Sequence, residues 1–332
     1  MKKFMSIILA VALLLTMAAC GSKPASDAGA ADKPAKATKM TMGTGGTTGT
    51  YYAYGSVLGQ YFKTKPNVDT TVVSTDGSKA NIQGIDAGDY QLATVQSDVM
   101  AYAWAGTQSF AEDGAVDSFR VIAGLYAEAV QLITMDPSIQ SVADLKGKAV
   151  SIGAPGSGVY FNALDVLAAA GLTVDDIQPQ YMSFGDSTDG LKDGKIQAAF
   201  IVAGAPTPAI TELATTKAEC RLVPIDGDIA AKLMADNDFY TAYNIPAGTY
   251  PNQDADVTTV TVKATLIVDA NASEDAVYAI TAAIFENIDA ITAEHGKGAE
   301  LSLENATTGM AAPFHPGAAK YFAEQGITVP TN

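Results

Sequence analysis

The feature that most constrains the fold is a glycine- and threonine-rich junction near the start of the globular sequence. In MTMGTGGTTGTYYAY at 40–54, a short apolar run leads through closely spaced glycines into an amphipathic segment. This order predicts a strand, a glycine loop and the N-terminus of a helix. Glycine lets the backbone approach a ligand closely, and the first amides of a helix can bind a carboxylate or a phosphate. The same pattern also fits a tight turn that binds nothing.

The junction lacks the known nucleotide-binding fingerprints. No Lys-Ser or Lys-Thr pair follows the glycines, as a P-loop requires. Thr48 stands where the third glycine of G-x-G-x-x-G belongs.

A second glycine-rich junction, GAPGSG at 153–158, lies about 110 residues further on and precedes another predicted helix. Short β-branched runs alternate with helical stretches through most of the chain, which favours βα units and a mostly parallel sheet. Two such junctions predict two α/β lobes of related design. Because ligands bind at the carboxyl ends of strands in open α/β sheets, both lobes would present helix N-termini to one cleft and close on it.

Four longer segments complete the predicted framework. The apolar runs 119–126 and 130–135 have the length of two separate strands. The β-branched run at 258–268 predicts a strand that returns the chain to the first lobe. Residues 273–294 predict one long helix with Ser273 as its cap.

The N-terminal residues have the pattern of an exported lipoprotein. Two lysines and an apolar run too short to span a bilayer predict a signal peptide over 1–19. Small residues before Cys20 resemble a bacterial lipobox, in which Cys20 is lipidated; an ordinary secretory signal cut after Ala19 is the alternative. Residues 20–39 include almost no large apolar side chain, so we expect a flexible tether there.

Composition argues against several classes of function. A net charge of −16 with only 20 basic residues disfavours binding to nucleic acid and to anionic lipid. If Cys20 is lipidated, Cys220 is alone, so the chain has neither a disulfide framework nor a cysteine-based zinc site. The two histidines, His295 and His315, are too few for a His-rich metal site and argue against an acid/base dyad. We therefore expect no metal and no cofactor.

One short pattern suggests a nucleophile. Gly156-Ser157-Gly158 resembles the turn that presents a catalytic serine, but Ala154 stands where that motif requires glycine. We therefore expect a binding protein and not an enzyme.

What remains is a cleft of neutral hydrogen-bond donors at four predicted strand-to-helix junctions. Each of these residues also fits a purely structural role as a cap or loop residue, but four junctions of the same chemistry favour binding. The candidates, junction by junction, are Gly45, Gly46, Thr47, Thr48 and Thr50; Thr75, Ser78 and Asn81; Gln96, Ser97 and Asp98; and Gly156, Ser157, Gly158 and Asn162.

Longer stretches of the sequence resemble a known family across residues 40–326. They look like the substrate receptors of tripartite ATP-independent periplasmic (TRAP) transporters of the TAXI subfamily. In chain order, the motifs that carry this resemblance are GTGGTTGTYY at 43–52, STDGSKAN at 74–81, LATVQSDV at 92–99, SVADLKGKAVSIGAPGSG at 141–158, FIVAGAPTPAI at 200–210, IPAGTYPNQDADV at 245–257 and PFHPG at 313–317.

The resemblance implies a type II periplasmic-binding-protein fold of the α/β class. Each of two lobes would be a mostly parallel sheet flanked by helices, and crossover strands would join the lobes. Lobe I would comprise residues 40–126 plus 262–332, and lobe II residues 127–261. The implied function is that of an extracytoplasmic receptor, held at the membrane by the lipid on Cys20, that delivers a small organic acid to membrane permease subunits driven by an ion gradient. Glutamate or a related dicarboxylate is the favoured ligand.

The resemblance also implies which residues face the ligand. The stretches implied in this way are the loop Thr44–Tyr51, Ser78–Asn81, Gln96–Asp98, Tyr126–Glu128 near the crossover, Gly156–Gly158 with Asn162, and Val202–Gly204. The ligand-binding residues expected in this way are Thr44, Gly45, Gly46, Thr48, Thr50, Tyr51, Thr75, Asp76, Ser78, Asn81, Gln96, Ser97, Asp98, Tyr126, Glu128, Gly156, Ser157, Gly158, Asn162, Val202 and Gly204.

Two positions depart from the family's pattern. Asp76 stands in what is usually a glycine pair; it either caps a helix or points inward and favours an amine-bearing ligand. Thr48 also replaces a usual glycine. No arginine clamp is evident, because Arg120 and Arg221 fall in or beside predicted strands. Carboxylate capture would then rest on backbone amides and hydroxyls, with Lys79 as a further candidate.

Three other functions stay open at this point. The binding protein of an ATP-driven importer has a receptor fold that these patterns do not distinguish. A secreted hydrolase would need Ser157 or a carboxylate as its working group. A surface lipoprotein whose main task is contact with another protein would bind no solute.

Overall fold

The computed structural model describes residues 38–65 and 68–332. The predicted signal peptide, the lipidated Cys20 and nearly all of the predicted tether lie outside the described residues. The first strand begins at Thr38, two residues before the predicted start of lobe I.

Within the described part of the chain, ten strands form one sheet. In chain order they are β1 (Thr38–Gly43), β2 (Val68–Val73), β3 (Leu92–Gln96), β4 (Phe119–Thr134), β5 (Ala149–Ser151), β6 (Gln178–Gln180), β7 (Ala198–Ala203), β8 (Arg221–Val223), β9 (Thr241–Ile245) and β10 (Val257–Asp269).

Eleven α-helices occur in the same described ranges. They are α1 (Thr50–Lys63), α2 (Ser78–Asp86), α3 (Ser97–Ala105), α4 (Val159–Ala169), α5 (Phe184–Lys192), α6 (Pro208–Thr216), α7 (Gly227–Asp236), α8 (Glu274–Phe285), α9 (Ile288–Glu294), α10 (Leu303–Thr307) and α11 (Pro316–Glu324).

The sheet contains two parallel groups of the same design. Its order is β2-β1-β3-β10-β4-β7-β5-β6, with β8 beside β4 and β9 beside β10. In the groups β2-β1-β3 and β6-β5-β7, the first strand along the chain lies between the second and the third, and neighbouring strands are parallel. A long antiparallel strand then covers the third strand of each group, β10 against β3 and β4 against β7. The two lobes therefore share one internal topology.

The crossover strands are β4 and β10. The runs that predicted two separate strands form the single 16-residue strand β4, so that prediction is wrong. No glycine or proline interrupts residues 125–134, so the extended backbone continues between the two runs. The first part of β4 pairs with β10, and its last six residues pair with β7. In β10, the C-terminal part pairs with β3 and the N-terminal part with β9.

Apolar side chains pack in distinct clusters on the two sides of the crossover. The largest cluster draws its buried members from residues 40–126 and 264–322. The other two clusters draw theirs from residues 129–262. Since burying a large aliphatic side chain stabilises the fold by roughly 1.5–3 kcal/mol, each lobe has its own source of stability. The residue-level lobe boundaries stay a prediction.

The helix predicted over 273–294 is broken. Helices α8 and α9 meet at a bend of 68°. Asn287 lies at the break with φ −127° and ψ 25°, and its side-chain amide donates to the Ala283 carbonyl at 2.9 Å. A side chain that bonds the backbone locally competes with continuation of the helix. Among the described residues, no single helix is long and apolar enough to cross a membrane; α8 and α9 pass that test only as a bent pair, by length and composition.

Candidate functional site

A cavity of about 80 Å³ lies between the two lobes beside β4. A site needs roughly 10–15 Å³ of such space to hold one water, so this one suits several waters or a small molecule. Its wall comes from both parallel groups and from the crossover strand. The lining residues are Gly45, Gly46, Gly49, Thr50, Tyr51, Thr75, Asp76, Gly77, Ser78, Gln96, Glu128, Ala154, Ser157, Gly158, Val159, Met182, Ser183, Phe184, Val202 and Ala203.

Three helices begin at the cavity without a side-chain cap. Helices α1, α2 and α4 have Gly49, Gly77 and Gly158 as their N-cap residues, and no side chain bonds the amides of those first turns. Serine, threonine, aspartate or asparagine at these positions would satisfy part of those amides. The helix dipoles add partial positive charge at the same ends. This wall is therefore suited to a negatively charged group of a ligand.

A fourth helix, α5, also begins at the cavity but is capped. The Ser183 hydroxyl accepts a hydrogen bond from the Asp186 amide at 3.2 Å. Its first turn is thus partly satisfied within the protein, in contrast to α1, α2 and α4.

The first two glycine junctions are held together by side chains behind the wall. The Asn81 amide donates to the carbonyls of Thr44 and Thr94 at 2.6 and 2.8 Å. The Thr75 hydroxyl lies 2.9 Å from the Thr44 carbonyl and accepts from the Gly77 amide at 3.1 Å. Gly77 has φ +111°, a conformation that essentially only glycine adopts without strain. These contacts fix the loops from which α1 and α2 start.

The wall also carries a buried carboxylate. Glu128, in the middle of β4, is 1% exposed. The Tyr51 hydroxyl, from the first turn of α1, donates to its Oε2 at 2.8 Å. Burial raises the pKa of Glu128 well above its ordinary value, although the Tyr51 hydrogen bond and the charge of Lys297 act in the opposite direction. Asp76, which is exposed, is the other acidic residue of the lining.

The lining within the described ranges includes no lysine, arginine or histidine. Lys79 donates to the Ser109 carbonyl and pairs with Asp113 at 2.9 Å. Arg120 lies over the Trp104 ring at 5.4 Å, and Arg221 donates to two backbone carbonyls near Asp136. Apart from the Gln96 side-chain amide, which donates to Asn162, the wall therefore offers an anion only backbone amides and hydroxyl groups.

The structure sorts the predicted ligand-binding residues into two sets. The set that lines the cavity is Gly45, Gly46, Thr50, Tyr51, Thr75, Asp76, Ser78, Gln96, Glu128, Ser157, Gly158 and Val202. The set that lies outside the lining is Thr44, Thr48, Asn81, Ser97, Asp98, Tyr126, Gly156, Asn162 and Gly204.

Several residues of the second set join the lobes. Three of these residues accept hydrogen bonds from the other lobe at their backbone carbonyls: Thr48 from the Ala209 amide at 3.1 Å, Gly156 from the Ala80 amide at 3.1 Å, and Gly204 from the Thr50 hydroxyl at 2.8 Å. The structure thus has the two lobes closed on each other. Ser97 and Tyr126 instead support the crossover: the Ser97 hydroxyl accepts from the Lys263 amide at 3.1 Å, and Tyr126 is buried against Tyr54.

A buried polar network links α3 and α4 across the lobes. The Gln96 amide donates to Asn162 Oδ1 at 2.8 Å, and Asn162 Nδ2 lies 2.8 Å from both Asp98 Oδ2 and the Tyr240 hydroxyl. Tyr240 in turn donates to Asp165 at 2.9 Å. Burial raises the pKa of Asp98 to about 6, although the hydrogen bond from Asn162 opposes the rise. Gln96 belongs both to this network and to the cavity wall.

Sequence analysis missed six lining residues. The stretch Met182–Phe184 lies at a further strand-to-helix junction, between β6 and α5. The other lining junctions also lie where a strand ends and a helix begins. Ser183 followed by Asp186 is a recognisable cap signal, but Met182 and Phe184 bear no polar signature of a site. The missed residues are Gly77, Ala154, Val159, Met182, Ser183 and Phe184. Gly49 and Ala203 also line the cavity, and they lie within the predicted stretches Thr44–Tyr51 and Val202–Gly204.

The chain is similar to known proteins in both sequence and structure. The model of the NMT1-like family matches residues 42–326. A structure from Bordetella bronchiseptica RB50 is 16% identical, with 86% of this chain and 88% of that chain covered and a TM-score of 0.52.

Two further structures are similar at lower scores. The periplasmic aliphatic sulphonate binding protein of Escherichia coli is 17% identical, with 86% of this chain and 78% of that chain covered and a TM-score of 0.45. An ancestral arginine-binding protein bound to arginine is 14% identical, with 79% of this chain and 95% of that chain covered and a TM-score of 0.47. The predicted α/β fold of two lobes joined by crossover strands is confirmed.

Proposed function

This chain belongs to the NMT1-like family, whose members are related to TAXI-type solute-binding proteins, and from that premise we propose that it is the extracytoplasmic receptor of a TAXI-type TRAP transporter. It is a solute-binding protein of a transporter. In the proposed role it binds a small organic acid between the lobes and delivers it to the membrane permease subunits. It catalyses no reaction.

The observation that carries the proposal is the convergence of three uncapped helix N-termini on one cavity. Helices α1 and α2 come from one lobe and α4 from the other. A carboxylate in the cavity would satisfy amides from both lobes only when the lobes are closed. A ligand that binds the closed form better shifts the equilibrium toward that form, and the closed surface is what the permease would recognise.

The ligand class follows from the same wall. Backbone amides and hydroxyls, without a basic side chain in the described lining, suit a small carboxylate. Glutamate or a related dicarboxylate is the proposed solute.

Mass spectrometry of the ligand released from the purified protein is the direct test. We expect a small organic acid, and calorimetry with glutamate, glutamine, 2-oxoglutarate and succinate should then give tight binding to one of them without turnover. If no ligand is released and nothing in a broad metabolite panel binds, the receptor function is wrong. A lipoprotein that contacts another protein would then be the better hypothesis.

The choice of transporter needs a separate experiment. We expect uptake in proteoliposomes to require this receptor, the fused membrane subunits of a TRAP system and an ion gradient. Uptake that needs ATP instead would assign the receptor to an ATP-driven importer.

A hydrolase based on Ser157 is the less favoured alternative. The Ser157 hydroxyl donates to the Ala154 carbonyl at 2.7 Å, and no histidine belongs to the described lining. Without a base the hydroxyl stays a weak nucleophile. Ser157→Ala should therefore lower ligand affinity only; the abolition of a measurable turnover would favour the hydrolase.

We further propose that Cys20 carries a lipid that holds the protein at the membrane. Cys20→Ser should shift the protein from the membrane to the soluble fraction and remove the lipid mass from its N-terminal peptide. Cleavage after Ala19 without a lipid would mean an ordinary secretory signal.

A further inference from the structure

The cavity has two chemically different parts, and the proposed function uses only one of them. The uncapped helix N-termini suit an anion, whereas Glu128 is a buried carboxylate on the same wall. We propose that Glu128 binds a protonated amine of the solute, so that the solute is a zwitterion of the amino-acid class. This inference rests on the proposed function of the site and names its ligand class.

Glu128 has spare hydrogen-bonding capacity at the cavity. Its Oε2 accepts from the Tyr51 hydroxyl at 2.8 Å. Across residues 38–65 and 68–332, no other side chain donates to this carboxylate and no lysine or arginine forms an ion pair with it. An ionised carboxylate buried without a charged partner is costly. A solute ammonium group would supply that partner.

The charges around Glu128 do not replace a ligand cation. Tyr51 in α1, Tyr126 in β4, Asp98 in α3 and Lys297 in the turn 296–300 are the titratable groups that act on it. Lys297 is already paired with Glu300. The remaining side chains are neutral or negative at neutral pH, so none of them supplies a cation to Glu128.

Asp76 is a weaker candidate for the same role. It lines the cavity, but it is exposed and therefore solvated. Ion pairs between exposed groups contribute about 0–1 kcal/mol, whereas loss of one partner of a buried pair costs several times more. We therefore assign selection of the amine to Glu128 and not to Asp76.

Binding of an ammonium group at Glu128 should change the number of protons bound to the protein. Burial raises the pKa of Glu128 well above its ordinary value, which favours the protonated carboxyl until a cation binds beside it. When the ammonium binds, the carboxyl ionises and its proton passes to solvent, which conserves charge. Binding of an amino acid should therefore release protons, and its affinity should rise with pH until Glu128 is ionised without a ligand.

The test compares solutes that differ only by the amine. Calorimetry would measure L-glutamate against glutarate, or the solute identified by mass spectrometry against its deaminated analogue. We expect the protein to prefer the amine-bearing member at least tenfold and Glu128→Gln to abolish the preference. Glu112→Gln makes the same change at an exposed surface position and should leave both affinities unchanged.

Two results with these variants would overturn the inference. One is a Glu128→Gln protein, folded by circular dichroism, that keeps the preference. The other is loss of the preference in Asp76→Asn but not in Glu128→Gln, since this would assign the amine to Asp76.

A second measurement needs no variant and so does not depend on the folding of Glu128→Gln. Titration of the unmodified protein at neutral pH in buffers of different ionisation enthalpy counts the protons exchanged on binding. Proton release supports an ammonium at Glu128. Proton uptake, or no proton exchange at all, would mean that Glu128 keeps a proton and donates to a solute carboxylate, which contradicts the inference.

The experiments distinguish a wrong receptor function from a wrong assignment of Glu128. If no solute is released or bound, the receptor function fails and the inference fails with it. If a solute binds but bears no basic nitrogen, the receptor function stands and only the assignment of Glu128 is wrong.

Discussion

Gly158 allows close contact between the lobes because glycine has no side chain. Its φ of −71° and ψ of −25° are ordinary helical values that any residue adopts. A Cβ at this position would lie 1.3 Å from Gln96 Oε1 and 3.0 Å from Val99 Cγ2. Glycine is therefore needed here for space across the lobe interface, not for the backbone conformation.

Gly158→Ala should weaken ligand binding while leaving the fold intact. The added methyl would displace the Gln96 side chain and break its bond to Asn162, which holds the lobes together. We expect ligand affinity to fall about tenfold, since a buried hydrogen bond of this kind is worth roughly 1–1.5 kcal/mol. Calorimetry measures the affinity, and small-angle scattering should show a less compact protein with ligand.

Gly296→Ala is the matched control for that change. A Cβ at Gly296 meets no atom within 4 Å, so this variant should bind as the unmodified protein does. If Gly158→Ala also binds normally, the contact at Gly158 does not limit closure.

At the scale of elements, the interface between α3 and α4 depends on one amide. Asn162 accepts from Gln96 and donates to Asp98, and both Asn162 and Asp98 are fully buried. Asn162 and Asp98 lie in the first turns of α4 and α3, and Gln96 is the last residue of β3 and lines the cavity. The contact between the two helices is therefore connected to the cavity wall through Gln96.

Asn162→Ala should destabilise the closed form more than it destabilises either lobe. It leaves the Asp98 carboxylate and the Gln96 amide buried without their partner, at a cost of roughly 1–3 kcal/mol. Ligand affinity at neutral pH should fall about tenfold or more, measured by calorimetry. Asn271→Ala, at an exposed position, is the control and should have no effect. An equal loss of affinity in both variants would contradict this role.

The same interface should respond to pH through Asp98. Burial raises its pKa to about 6, whereas an exposed aspartate titrates near 3.9. Relative to an open form in which Asp98 is exposed, the favourable contribution to closure is present below the ordinary pKa and is lost as pH rises through about 6. From this group alone, closure should be about tenfold more favourable at pH 5 than at pH 7.5.

Asp98→Asn isolates that contribution, because the amide keeps the shape but does not titrate. The ratio of affinities between the unmodified protein and Asp98→Asn should change about tenfold between pH 5 and pH 7.5. Titrating groups that do not interact with Asp98 cancel in this ratio. A ratio that is constant with pH would mean that Asp98 stays in one protonation state throughout.

At the scale of the whole molecule, the crossover strands couple the lobes. Strand β4 has 16 residues and β10 has 13, and both pair with strands of each lobe. Unfolding one lobe would remove part of the pairing of both strands. The lobes should therefore lose their structure together.

We expect one cooperative unfolding transition by differential scanning calorimetry, with equal calorimetric and van't Hoff enthalpies. Ligand at 100 times its dissociation constant should stabilise the protein by about 2.7 kcal/mol. Two separate transitions, with only one of them shifted by ligand, would show that the lobes unfold independently.

Local sequence signals accounted for most of the elements. Glycine loops and apolar periodicity predicted the junctions that start α1 and α4, because turn chemistry and amphipathic spacing act over a few residues. The same signals failed at Asn287, where a side-chain bond ends α8, and at β4, where two apolar runs form one strand. Both outcomes depend on what the neighbouring elements allow.

The sequence by itself determined the fold class, the family and the junctions around the cavity. Only the tertiary structure decided which polar residues line that cavity and which hold the lobes together. Thr48, Asp98 and Asn162 have the same chemistry as the lining residues, yet they bond across the lobe interface. Residue type reports what a side chain can bind, whereas the packing of two lobes around β4 decides what lies within its reach. Glu128 is the clearest case, since burial on that strand is what makes its carboxylate different from an exposed one.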